Sequence, residues 1–112
     1  MKNYRLKITD EAADQLFAIA KWYSDSSQSL DVAVKWYDGF LDALEELQHD
    51  PSRFALAREN EKFDFELREL RYGSGKRVTH RALFRVVADT VEVLSIRHHA
   101  QDELRSDDLP ST

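Results

Sequence analysis

Three histidines and seven basic side chains crowd the stretch from Leu67 to His99. Arg68, Arg71, Lys76, Arg77, Arg81, Arg85 and Arg97 supply the cations. His80, His98 and His99 supply groups that titrate near neutral pH. A guanidinium holds a phosphate or carboxylate through two parallel N–H bonds. An imidazole within reach of a hydroxyl takes or returns its proton. These are the ingredients of metal-free RNA cleavage: a base for the 2′-OH, an acid for the leaving oxygen, and cations for the charge on the phosphorane. They also suit plainer roles. His98 and His99 read equally as strand-end histidines, one on backbone and one in solvent. Arg81 and Arg85 read equally as a solvated or partner-binding sheet face. His80 falls on the core side of its strand, where a histidine is usually a packed, hydrogen-bonded group. No local spacing joins the three histidines into a metal site, so no metal and no cofactor are expected.

The charge is unevenly spread. Those seven basic residues face three acids, Glu69, Asp89 and Glu92, so the stretch carries +4; the rest carries −9 of the total −5. An acidic chain is a poor indiscriminate nucleic-acid binder, while a local basic stretch leaves room for one anionic partner. The chain has 112 residues, 42% apolar and 33% charged, which suits one globular domain. Cysteine is absent, which removes disulfides, thiol nucleophiles and thiolate metal sites. The start lacks the apolar run of a signal peptide, and no run approaches the ~20 apolar residues of a membrane span. A cytoplasmic protein without membrane contact is the expectation.

Periodicity supplies the elements that must position these residues. Tyr4 to Thr9 alternates with period two, a strand with Tyr4, Leu6 and Ile8 inward. Thr9 or Asp10 caps a helix over 11–24 with Ala12, Leu16, Ile19, Ala20 and Tyr23 on one face. Ser24 to Ser29 is a polar linker. A second helix over 30–49 carries Ala33, Trp36, Tyr37, Phe40, Leu44 and Leu47, and Asp50-Pro51 ends it. Gly39 inside it costs ~1 kcal/mol relative to alanine, so packing must outweigh propensity there. Trp22, Tyr23, Trp36 and Tyr37 read as hairpin core rather than a platform for bases. Ser52 to Lys62 reads as a loop with one helical turn.

Phe63, Phe65 and Leu67 then alternate, and Leu70 and Tyr72 resume out of phase, which predicts a bulge between Leu67 and Leu70. Glu69 reads as a charge partner of Arg68 and Arg71. After a turn at Gly73-Ser74-Gly75, Val78, His80, Ala82, Phe84 and Val86 share one strand face. Ala88-Asp89-Thr90 turns the chain into a strand with Val91, Val93 and Ser95 on one side. The order β-α-α-β-β-β predicts an α+β domain: an antiparallel-rich sheet with a helical hairpin on one face. The Phe84 face is expected under the helices, leaving Arg81 and Arg85 on an open side. One domain is expected over residues 1–104, with an acidic, fraying tail over 105–112.

That element order, with Leu67-Arg68-Glu69-Leu70, His80-Arg81-Ala82-Leu83-Phe84-Arg85-Val86 and the ending Val93 to Asp102, resembles the ParE/RelE superfamily, the toxins of type II toxin–antitoxin modules, plasmid-stabilisation proteins included. The likeness spans about residues 4–104 and leans towards ParE. It implies a toxin that inhibits DNA gyrase, is not itself an enzyme, and is neutralised by a cognate antitoxin. Arg68, Arg71, Arg81 and Arg85 would then bind target or antitoxin. The RelE-like alternative implies an endoribonuclease acting on mRNA in the ribosome. There Arg81 matches the third-strand arginine near the scissile phosphate, Arg97 would stabilise charge, and His98 or His99 would act as acid or base. A further alternative is an inactive relative that keeps only antitoxin binding. Both a homodimer and a toxin–antitoxin hetero-oligomer are compatible with the family. Two departures stand out: Gln101 replaces the arginine usual before the aspartate of the ParE-like ending, and the pI of 5.3 is low for the group.

Overall fold

Thr9 joins the first strand to the first helix and ties both to the sheet. Its hydroxyl accepts from the Ala12 N–H at 3.2 Å and donates to the Val93 carbonyl at 3.0 Å. The computed structural model describes residues 3–73 and 77–99. Strand β1 is Arg5–Ile8, helix α1 Asp10–Ser27, helix α2 Leu30–Glu45, β2 Arg68–Tyr72, β3 His80–Val87 and β4 Thr90–His98. Short 3-10 turns lie at Glu46–Gln48, Pro51–Arg53 and Asn60–Lys62. The sheet order is β1-β4-β3-β2, with β1 parallel to β4 and the other pairs antiparallel. This is the expected α+β architecture. The expected acidic tail, and Ser74 and Gly75 of the expected turn, lie outside the described residues.

α1 runs three residues beyond the expected Ser24. The Ser27 hydroxyl bonds the Tyr23 carbonyl at 2.6 Å and closes the last turn, and Gln28 then adopts a left-handed φ of 55°. Ser29 caps α2 through the Val32 N–H. α2 stops at Glu45 and tightens to a 3-10 turn before Asp50-Pro51, so the helical run ends close to where proline demands. Gly39 has a packing reason: a β-carbon there would collide with the Tyr72 hydroxyl of β2.

The helices cover one sheet face with Leu16, Phe40, Leu44, Phe84, Val91 and Val93 at its centre. The other face is not open. Residues 54–67 form a strap across it, and Ala57, Leu67, Leu83 and Leu94 make a second apolar cluster flanked by Phe63 and Phe65. The strap is pinned by Ala57 N–H to the Leu67 carbonyl at 2.8 Å, Glu69 N–H to the Ala55 carbonyl at 3.0 Å, and Leu67 N–H to Asn60 Oδ1 at 2.8 Å.

Burial on both faces explains the phase change that suggested a bulge near Leu67. Leu67 packs under the strap and Leu70 under the helices, so plain alternation serves both, and β2 pairs with β3 without interruption. The irregularity lies instead opposite Leu83/Phe84, where Leu83 pairs with Ser95 and Phe84 with Val93, leaving Leu94 extra. That shift takes Ser95 out of step with Val91 and Val93 and places Ile96 in the main core. Gln15 of α1 satisfies the bulge, its Oε1 accepting from the Ile96 N–H at 2.7 Å and the Ser95 hydroxyl at 3.3 Å. Val86, expected inside, lies near the end of the β3–β4 hairpin and is exposed.

Candidate functional site

Arg81 decides how the basic stretch reads. It was expected on an open face; it is 1% exposed. The strap carries Glu59 onto it, with Arg81 Nη1 donating to Glu59 Oε1 at 2.7 Å and Nη2 to the other oxygen. Nη1 also reaches Glu69 Oε1 at 3.4 Å, and Glu59 and Glu69 are themselves buried. Burial would lower the pKa of this guanidinium; the bonds and charges of Glu59, then of Glu69, outweigh it and raise the pKa. Arg81 is therefore a fixed internal cation, with two acids bringing it to rest between the strap and the sheet.

Its neighbours extend the pattern. Arg71, Arg81 and Arg97 occupy one row across β2, β3 and β4. Arg71 is exposed, and its Nε donates to Glu69 Oε2 at 2.7 Å. Arg85 Nε donates to Glu92 Oε1 at 2.7 Å, and its guanidinium stacks 4.8 Å from the Phe65 ring centroid. Arg68 sits opposite Phe84, on the helix side of β2. It donates to the Phe54 carbonyl at 2.6 Å and to Glu66 at 3.1 Å. The four arginines expected to bind a partner thus lie on two faces, and each is engaged by an acid of this chain.

Two of the histidines, His80 and His98, lie through the sheet from Arg81. His80 and His98 are paired across β3 and β4 with ring centroids 5.3 Å apart. His80 is buried against Trp36 at 5.2 Å and Tyr23 at 6.2 Å, and its Nδ1 lies 2.8 Å from the Thr79 hydroxyl. Burial, and then the charge of His98, push its pKa down to about 4, so it is neutral at pH 7. His98 rims a cleft of about 550 Å³ shared with Gln15, Trp22, Tyr23, Thr79 and Ile96. His99 donates its backbone N–H to the Thr79 carbonyl at 2.8 Å, and its Nδ1 is buried without a hydrogen-bond partner among the described residues. So the structure brings Arg81 and Arg97 together and sets His98 on the opposite face.

Two residues of this region escaped the sequence. Glu59 sits in a polar run with no periodicity to mark it as buried. Gln15 is a polar residue outside the apolar stripe of α1. Glu69 was recognised as an arginine partner, though its pairs are Arg71 and Arg81 rather than Arg68. Among the described residues no three acids or histidines gather as metal ligands, and no helix is long and apolar enough to cross a membrane.

A four-stranded mixed sheet between a helical hairpin and a strap defines a small α+β domain of the ParE/RelE type. The sequence profile of the ParE toxin of the type II toxin–antitoxin system parDE matches residues 6–103, and the chain belongs to that family. Among solved structures, a chain described as the chromosomal ParDE TA system from P. aeruginosa is similar, with 25% identity and a TM-score of 0.67. The match covers 85% of this chain and 95% of that one. No curated protein sequence matches this chain.

Proposed function

We propose that this chain is a toxin that binds and stalls DNA gyrase, without cutting RNA, and that a cognate antitoxin neutralises it. The observation that carries the reading is the sequestration of Arg81. A RelE-like nuclease needs that arginine on a phosphate, and here Glu59 and Glu69 already occupy it. An incoming phosphodiester would have to displace two carboxylates and lift the strap. The separation of His98 from Arg81 across the sheet supports the same reading by removing one of the two candidate acid–base histidines, since such a group must lie within hydrogen-bond reach of the bond that Arg81 holds. Membership of the ParE family and the likeness to a ParDE chain support both target and antitoxin. In the sheet order β1 is an edge strand, and such an edge accepts an added strand from a partner.

The purified chain should inhibit supercoiling by gyrase, and induction of the chain alone should raise the DNA-damage response. Unchanged supercoiling at every excess of protein, together with mRNA cleavage on translating ribosomes that Arg81→Ala abolishes, would overturn the proposal in favour of the nuclease.

A further inference from the structure

The cleft rimmed by His98 lies between α1, the start of β3 and the end of β4. Its volume of about 550 Å³ falls within the range of small-molecule sites. Ala18, Ile19 and Ile96 give it apolar sides, and Trp22 and Tyr23 add aromatic rings. Trp22 was expected in the hairpin core. It is instead 62% exposed, edge-on to Tyr23 with ring centroids 5.2 Å apart. An indole held in that way offers a flat wall to another ring.

Two polar side chains of the lining are half used by the fold. Gln15 Oε1 accepts from the Ile96 N–H at 2.7 Å and from the Ser95 hydroxyl at 3.3 Å. A backbone N–H can only donate, so the amide is fixed with its oxygen on the bulge. Its NH2 has no hydrogen-bond partner among the described residues. His80 is 5% exposed and neutral at pH 7, with a pKa of about 4. Its Nδ1 lies 2.8 Å from the Thr79 hydroxyl, which in turn lies 3.5 Å from the Tyr72 carbonyl. The carbonyl can only accept. A chain from Nδ1–H to the Thr79 hydroxyl and on to that carbonyl therefore uses each group once, and it leaves His80 Nε2 as an acceptor. That nitrogen has no partner among the described residues. A buried acceptor of this kind needs a donor that the fold does not supply.

The missing charge narrows the occupant further. No lysine, arginine, aspartate or glutamate lines the cleft among the described residues. A phosphate or an ammonium group would lose its hydration there without gaining a counter-charge. We propose that the cleft binds a small, uncharged, planar heterocycle carrying a lactam, an N–H beside a C=O, as in oxopurine and pyrimidinedione nucleosides. The carbonyl accepts from Gln15 Nε2, the N–H donates to His80 Nε2, and the ring lies along Trp22. This inference stands apart from the gyrase reading, which uses neither Gln15 nor Trp22.

Calorimetric titration of the full chain with two pairs of probes tests it. The pairs are inosine with purine riboside, and uridine with 3-methyluridine; the second member of each lacks the lactam N–H. In at least one pair the lactam nucleoside should bind about tenfold more tightly than its counterpart, or better. Its 5′-monophosphate should bind no more tightly than the nucleoside. Trp22→Ala should remove binding with an unchanged thermal melt, because the ring is exposed. His80→Phe should still bind both members of the pair but bring them within about twofold of each other, which a damaged fold would not do. Absence of binding by both lactam nucleosides at millimolar concentration overturns the proposal, as does equal binding within both pairs or binding that survives Trp22→Ala. Tighter binding of the monophosphate overturns it in favour of a nucleotide or nucleic acid. Tighter binding of N-acetyltryptophanamide than of either nucleoside overturns it in favour of a protein side chain.

Discussion

Replacing Glu59 by alanine leaves Arg81 buried with half its partners. The bidentate contact to Glu59 goes, and what remains is one contact to Glu69 at 3.4 Å, with Glu69 still shared by Arg71 at 2.7 Å. Breaking a buried ion pair from one side typically costs about 3–5 kcal/mol, because the surviving charge stays desolvated. Glu69 offsets part of this, which places Glu59→Ala near ~3 kcal/mol, at the low end of that range. For a domain of this size that is a fall in Tm of roughly 10–20 °C. With a urea m-value of about 2 kcal/mol/M it is a midpoint shift of roughly 1.5 M. Urea unfolding followed by far-UV circular dichroism measures it.

The reasoning also fixes how two changes combine. Glu59→Leu with Arg81→Met removes both charges and lets Glu69 keep Arg71. The double variant should be more stable than Glu59→Leu alone by about 2 kcal/mol. Local opening should follow the strap. In Glu59→Ala the amides of Ala57, Leu67 and Glu69, which bond within or onto the strap, should exchange faster while those of α2 keep their protection. A Glu59→Ala variant within about 1 kcal/mol of the parent, or additive costs in the double variant, would refute the claim that this cluster holds the strap.

The other predictions concern the helix side of the sheet. His80 has a folded pKa of about 4 against an unfolded 6.5, so the unfolded chain binds the extra proton between those values. Its contribution is complete above about pH 6.5 and is lost as pH falls towards 4, about 2–3 kcal/mol in all. His80→Phe should flatten that limb of the stability–pH curve. Gly39→Ala should cost about 1–3 kcal/mol by driving a methyl into the Tyr72 hydroxyl, and Tyr72→Phe in the same chain should recover much of it, as read by thermal melts. Gln15→Leu removes the acceptor for the Ile96 N–H at the bulge and should cost about 1–3 kcal/mol in urea unfolding.

What the sequence revealed depended on whether burial left a period. α1, α2 and β1 stood out because one face of each packs on a single apolar layer, which writes 3.6 or 2 into the chain. Thr9 and Pro51 marked helix ends through chemistry local to a few residues. Of the strap, only the alternation of Phe63, Phe65 and Leu67 left such a trace. Its anchors, Ala57, Phe63, Phe65 and Leu67, meet the sheet through irregular backbone, and its most buried polar group, Glu59, answers an arginine 22 positions away. Because the strap as a whole was invisible, the second face looked open, and its arginines looked available. The out-of-phase leucines were the one hint: Leu67 and Leu70 point to opposite faces, as a strand buried on both sides requires.

The consequence reaches function through charge. The +4 counted along Leu67–His99 overstates what the surface presents, because Glu59 and Glu66 from outside the stretch meet two of its arginines. Arg81 is consumed by Glu59, an acid from outside the stretch, Arg68 is engaged by Glu66, and Arg71 and Arg85 are met by Glu69 and Glu92. Meanwhile Asp10, Asp14, Asp31, Asp38, Asp42 and Glu45 on the helices have no salt-bridge partner among the described residues. Field outside a protein follows charges left unpaired at its surface more than those matched at contact distance. The helical hairpin therefore presents unmatched charge among the described residues, and its sign is negative. An anionic polymer approaching the sheet meets Arg68, Arg71, Arg81 and Arg85 already held by carboxylates.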